Sequence, residues 1–373
     1  MMELDIGRMT ALSGAAFDAA TQSGVSPEAA TALLEQVQIR TFRDVLTAFG
    51  GEDVRGTLVK GLCLNDPARS REAMDKKVRG WLGGKYQPTK REDLLELCFV
   101  LGLDVPRADA FLAMTGEAGL HWRDPREAVY AFALGQGSDY PQAKALLERV
   151  MPDGAAADDG AGYTAAVRQQ VLACRSEAEL RQYLAGASAQ LGSLHNTAYR
   201  YFCDMLQTLE QPADDGERRY TTREIVETYL DRRLPPARAG KGLEERRRCI
   251  LADWPDEVVL SRMKNRKADV TRKVLLLLFL ATDGAEEESD PWQEDWYDED
   301  WDEGDDADAA FRSSYMRLNR MLAECGMRML DPRNAFDWLA IYCMRVGDAD
   351  DMAGLNERLT QALAVLFAAS QQA

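Results

Sequence analysis

The sequence predicts an all-α fold, on three observations. Apolar residues recur at helical spacing through most of the 373 residues, and no stretch of useful length alternates as a strand does. Helix-start signals, Ser, Thr or Asp ahead of an apolar-periodic run, recur along the chain. The chain also repeats itself. Gly119–Leu134 (GLHWRDPREAVYAFAL) and Gly326–Ile341 (GMRMLDPRNAFDWLAI) are identical at six of sixteen positions at an offset of 207, where average composition gives about one.

In both copies the Asp-Pro-Arg triplet reads as a helix start: the carboxylate caps free N–H groups and proline suits the first helical position. Glu127 gives the first copy a capping-box spacing, and Asn334 stands in its place in the second. The likeness extends upstream. TFRDVLTAF from Thr41 matches TTREIVETY from Thr221 at an offset of 180, and TKREDLLELCFVLGL from Thr89 matches VTRKVLLLLFLATDG from Val270, pairing Phe99 with Phe279 at the same 180 after a one-residue slip near the start. The change of offset from 180 to 207 puts a 27-residue insertion in the second copy. The pattern predicts a tandem duplication of a helical module. Residues 1–150 form copy one, 221–373 copy two, and 151–220 a helical connecting segment bounded by MPDGAAADDGAG and QPADDGE. Helices in that segment start at Ser176, in the box SEAE, and near Ser193.

Composition excludes several classes. The longest apolar run, VLLLLFLA from Val274, is too short to span a membrane, and the N-terminus lacks an apolar signal region. Seven scattered cysteines without a CxxC predict a reduced, cytoplasmic protein. With two histidines in the chain, neither a zinc site nor a histidine-based triad has much to draw on. No metal, cofactor or catalytic residue is therefore assigned. The net charge of −17 is concentrated: Asp283 to Asp308 holds fifteen carboxylates and no Lys or Arg, so the rest of the chain is close to neutral.

Within copy one the order is a helix from Val54 to Leu64, a turn, a helix from Ser70 to Leu82, Gly83-Gly84-Lys85, Pro88, and a helix from Thr89. That is helix-turn-helix organisation. KKVRGWLGGKYQPTKREDLLELCFVLGL resembles the third and fourth helices of phage-repressor-like (XRE-type) helix-turn-helix domains, with an aromatic near the end of the recognition helix, Gly-Lys, a proline and a Leu-rich helix. VVLSRMKNRKADVTRKVLLLLFLAT in copy two has the same shape, with Asn265 where the glycine falls and no proline. The resemblance covers roughly 50 residues per copy and implies duplex DNA as partner. The Asp-Pro-Arg extension resembles modules of gut-bacterial proteins and implies no activity.

Met74, Val78 and Leu82 form the inward face of the second helix, which leaves Asp75, Lys76 and Arg79 outward, where a recognition helix meets base edges. Lys77, Lys85, Lys90 and Arg91 complete the predicted DNA contact set, the last three as phosphate contacts. The competing reading is a solvated basic face on a fold that has lost DNA contact and serves protein–protein interaction. In copy two, Asp253, Asp256 and Glu257 crowd the start of the corresponding helix and would repel phosphate. Its later cations, Arg262, Lys264, Arg266, Lys267, Arg272 and Lys273, predict a secondary basic surface able to hold a backbone without reading bases.

The acidic insertion interleaves Trp292, Trp296, Tyr297 and Trp301 with its carboxylates. Such a segment cannot fold alone. It suits docking to a basic partner protein, folding back on the chain's own basic surface in competition with nucleic acid, or simply a surface loop. An EF-hand fails in register, because Glu303 and Ala309 occupy the required glycine and final carboxylate positions. His195 reads as a helix-start residue held by local hydrogen bonds, and His121 as a polar turn position. Cys98, Cys203 and Cys343 read as core residues.

Overall fold

The computed structural model describes residues 11–84, 86–88, 90–115, 118–151, 164–187, 191–192, 194–211, 219–231, 234–235, 242–282, 306–345 and 354–368. These are all-α: among them no strand forms, only one antiparallel bridge between Ala118 and Met327. None of their helices is long and apolar enough to cross a membrane. The chain divides into two units, called flanking and central for their places in the sequence. The flanking unit gathers Met1–Ile39, Thr197–Glu324 and Met329–Ala373, and the central unit Arg40–Asn196 with Cys325–Arg328.

This partition corrects the expected one. Residues 1–39 belong with copy two, and the connecting segment forms no separate body. The reason is apolar burial. α1 (Ala11–Ala20) and α2 (Pro27–Gln36) bury Ala16, Phe17, Ala20, Ala30 and Leu34 within the flanking unit. There Trp338 Nε1 donates to the Ala16 carbonyl at 2.9 Å, and Phe17 meets Tyr315 edge-on at 5.5 Å.

The central unit begins at α3 (Phe42–Gly50), which opens with a full capping box between Thr41 and Asp44. α4 (Val54–Asn65) and α5 (Arg71–Leu82) follow, capped by Asp53 and Ser70. Gly84 then takes φ +68, a backbone region open to glycine at little cost, and turns the chain toward α6 (Arg91–Val100). α7 (Val105–Thr115), α8 (Pro125–Gly135), α9 (Tyr140–Val150), α10 (Thr164–Ala173) and α11 (Glu177–Gly186) complete the unit. Its core is one cluster in which Trp81 meets Phe42 edge-on at 6.1 Å and Phe111 meets Phe49 at 5.5 Å.

In the flanking unit, α12 (Asn196–Glu210) precedes α13 (Thr222–Ile225), which has its own capping box and runs into a π-helical turn over Val226–Leu230. α14 (Leu243–Leu251), α15 (Glu257–Lys264), α16 (Arg272–Ala281), α17 (Asp306–Glu324), α18 (Ala335–Met344) and α19 (Leu355–Ala368) follow. Every residue of α16 and α18 is buried. A helix sealed on all sides must satisfy its polar groups internally. A clasp between the two helices does this, and a matching clasp joins α6 to α8 in the central unit.

Arg91, the first residue of α6, forms a two-pronged bond to Glu127, from Nε to Oε1 at 2.9 Å and from Nη2 to Oε2 at 2.8 Å. Arg272, the first residue of α16, does the same to Asp337, from Nη1 at 2.7 Å and Nη2 at 2.9 Å. Each carboxylate also accepts a backbone N–H six residues upstream, from His121 at 2.8 Å and Asp331 at 2.9 Å. Each turn is pinned again by a side-chain oxygen eleven residues back, Asp109 to Leu120 N–H at 2.7 Å and Asn319 to Leu330 N–H at 2.8 Å. The clasp recurs with the same pairing of groups, although Arg91 presents its Nε–Nη2 edge and Arg272 its two terminal nitrogens.

The clasp also corrects the sequence register. Glu127 and Asp337 lie 210 apart and Arg91 and Arg272 lie 181 apart, so the second connection is longer by 29 residues, not 27. In this frame Asp124 corresponds to Asn334, and those two are the helix N-caps. Asp331-Pro332-Arg333 is therefore not a helix start: α18 begins at Ala335. The shared letters preserve a local turn instead, with Asp124 accepting from Arg126 N–H at 2.8 Å and Asp331 from Arg333 N–H at 3.0 Å.

Candidate nucleic-acid interface

α5 exists as a helix because Ser70 accepts the Ala73 N–H at its start and an apolar stripe holds it down. Val78 and Trp81 are buried, with Met74 and Leu82 packed beside them, so the predicted inward face is the observed one with Trp81 added. The outward face carries Arg71, Glu72, Lys76 and Arg79, all exposed. Arg55, on the neighbouring α4, reaches the same face. Its guanidinium grips Asp75 through Nε at 2.9 Å and Nη2 at 2.7 Å, while Arg79 Nε approaches the other oxygen at 3.1 Å. Asp75 thus sits between two arginines, and the bond from Arg55 foremost holds its carboxyl below the usual range.

Of the predicted DNA contacts, Lys76 and Arg79 lie exposed on this face and Lys90 is exposed at the start of α6. Lys85 lies outside the described residues. Lys77 is half-buried, over the Trp81 ring at 5.1 Å and 3.7 Å from Asp93. Arg91 is the plain correction: its guanidinium is spent on Glu127 and on the carbonyls of Ala118 and Gly119. Burial works to raise the Glu127 carboxyl, but the bonds and charge of Arg91 outweigh it and hold the group below its ordinary value. Sequence reasoning missed Arg55 and did not see Asp75 as a bridge. An Arg and an Asp twenty residues apart on consecutive helices carry no local signal.

After α5, the chain folds Tyr86 back onto the helix. Its ring fills the space that a side chain at Gly80 would occupy, since a Cβ there would meet the ring at 2.5 Å. The hydroxyl donates to the Lys77 carbonyl at 3.3 Å, and the residue stays 50% exposed beside the basic face.

The secondary basic surface in the flanking unit is smaller than expected. Lys267 and Arg262 are exposed. Lys264 is tied to Glu210, whose other oxygen accepts from Arg219 at 2.9 Å, and Arg266 lies over the Tyr199 ring at 4.6 Å. Arg272 and Lys273 are buried at 3% and 6% exposure and belong to no surface. Lys273 Nζ turns inward to the carbonyls of Cys249, Ile250 and Ala252 at the end of α14, a fitting site for a cation. Trp292, Trp296, Tyr297 and Trp301 lie outside the described residues, as does the acidic run through Asp305.

The two histidines, assigned separately to local turns in the sequence, come together. Their rings stack at 3.7 Å between centroids and 11° between planes. Among the described residues no group of His, Cys, Asp and Glu is arranged to hold a metal ion. Comparison with family models, with curated proteins and with solved structures finds no match to this chain.

Proposed function

We propose that the chain is a cytoplasmic nucleic-acid-binding regulatory protein, in which α4 and α5 of the central unit, read as an XRE-type helix-turn-helix, contact duplex DNA through its phosphates. The observation that carries this is the cluster of Arg55, Arg71, Lys76 and Arg79 on one exposed face of two packed helices. Phosphate contact is favoured over base reading because Arg79 already shares Asp75 with Arg55, and so lacks an unengaged fork for guanine. The acidic run between Asp283 and Asp308 adds a competing polyanion of fifteen carboxylates in the same chain.

The test is binding of random duplex DNA by the full chain and by a Lys76→Ala/Arg79→Ala/Lys85→Ala variant across a salt series. Binding should weaken in the variant, and the slope of log affinity against log salt should fall by about one for each phosphate no longer neutralised. Removing residues 283–308 should strengthen binding, most at low salt. The absence of duplex binding in both wild type and the deletion would overturn the reading.

One observation favours a second reading, a protein-interaction adaptor that keeps the fold without DNA. Asp75 lies in the middle of the basic face and would be pressed against phosphate. On that reading the basic face and the acidic, Trp-rich insertion each take a protein of opposite charge.

A further inference from the structure

The chain holds two histidines, 74 residues apart, and they stack face to face. His121 lies in the turn ahead of α8 and is buried, with its backbone N–H given to Glu127. His195 lies at the end of a stretch laid against the same turn: Leu191 is 1% exposed and Gly192 N–H donates to the Arg123 carbonyl at 2.9 Å. The aromatic stack and this hydrogen bond tie His195 and Gly192 to the turn at 121–124.

Imidazole is the side chain whose ordinary titration falls between pH 5 and 8. Neutral rings, or one neutral and one charged ring, stack favourably. Two imidazolium rings at 3.7 Å place like charges in direct contact. Of the carboxylates around the turn, Glu127 interacts with His121 and so favours one charged ring, but a single carboxylate held by Arg91 does not offset charge on both. Glu127 on α8 is committed to Arg91 of α6, and Asp109 on α7 to the Leu120 N–H. In the turn itself, burial raises the Asp124 carboxyl, and Arg123 adds a further cation. Arg168 of α10 lies over the ring of Trp122, the residue next to His121.

We propose that the His121–His195 stack is an acid-sensitive latch, which holds Leu191, Gly192 and His195 on the turn ahead of α8 near neutral pH and releases them when both rings are protonated. The sign follows from the geometry: charge on both rings opposes a face-to-face stack, so acid weakens the latch and alkali does not.

The chain's two histidines make the test clean. With isotope-labelled histidine in the full chain, the ring protons should show a mutual cross-peak at pH 8 that disappears by pH 5, in step with protonation of the second ring. Hydrogen exchange at Gly192, corrected for the intrinsic effect of pH, should rise at least tenfold over the same interval. In His195→Phe, which keeps an aromatic ring that cannot be protonated, Gly192 should stay protected. Persistence of the cross-peak with both rings charged would overturn the proposal. So would failure of either ring to protonate by pH 5, or equal loss of protection in His195→Phe, which would mark general acid loosening.

Discussion

The two units treat the same kind of cation in opposite ways. In the central unit, Arg55, Lys76 and Arg79 point outward, and Arg91 at the start of α6 keeps 33% of its side chain exposed. In the flanking unit, Arg272 at the start of α16 is sealed, as are Lys273, Arg246, Arg247 and Arg358. The difference lies in what surrounds them. Arg246 Nε donates to the Leu34 carbonyl at 2.7 Å, Arg247 Nε to Leu366 at 2.8 Å and Arg358 Nε to Cys343 at 3.1 Å, each at or near the end of a helix, where carbonyls have acceptor capacity to spare. Burying a charge is costly unless it is paired and hydrogen-bonded. The flanking unit supplies those acceptors; the central unit encloses Arg91 and Arg123 in the same way but leaves Arg55, Lys76 and Arg79 on the α4–α5 face to water. A count of positive residues therefore overstates the flanking surface and is closer to right for the central one.

The comparison is broken most directly at the two clasps. Arg272→Ala leaves Asp337, a carboxylate at 0% exposure, without its counter-charge, and should cost about 3–5 kcal/mol of stability. Arg91→Ala should cost about 1.5–3 kcal/mol, because the more open site admits water. Urea titration of both variants checks the order, and equal losses would erase the distinction between the units.

A smaller effect is pH-linked. Glu127 is held below its ordinary carboxyl value, so its contribution is present at neutral pH and lost as pH falls through the lowered value. Glu127→Gln should be less stable than wild type near pH 7, and the gap should close in acid. A gap that stays constant with pH would assign the loss to shape instead of charge.

The basic face gives the mildest tests. Asp75→Asn removes the carboxylate shared by Arg55 and Arg79, and should tighten duplex binding severalfold if this face meets phosphate. Unchanged or weaker binding would favour the adaptor reading. Lys76→Ala should alter stability by less than about 0.5 kcal/mol, since an exposed side chain away from caps and core carries little of the fold. A larger loss on denaturation would show that Lys76 has a structural partner.

Particular elements show how far the sequence could be read. The Ser176 cap and the Ser70–Leu82 helix were legible because their signals lie within one turn of chain. The likeness of the two Asp-Pro-Arg stretches was legible too, but the register in which their clasps correspond was not. Identical letters at Asp-Pro-Arg outweighed the pattern the structure uses, a cap followed three residues later by an acid, seen in Asp124…Glu127 and Asn334…Asp337. Aligning those pairs would have found both clasps. The placing of residues 1–39 with copy two had no local signal, because it rests on contacts such as Trp338 with Ala16 across more than three hundred residues.

By itself the sequence determined the all-α class, several helix starts such as Ser70 and Ser176, and the concentration of negative charge in one insertion, since each depends on neighbours in the chain. Tertiary structure alone decided which cations face solvent, which carboxylates they hold, and that two distant histidines touch. Those outcomes depend on which acceptors and rings packing brings within a few ångströms, a distance that separation along the chain does not encode.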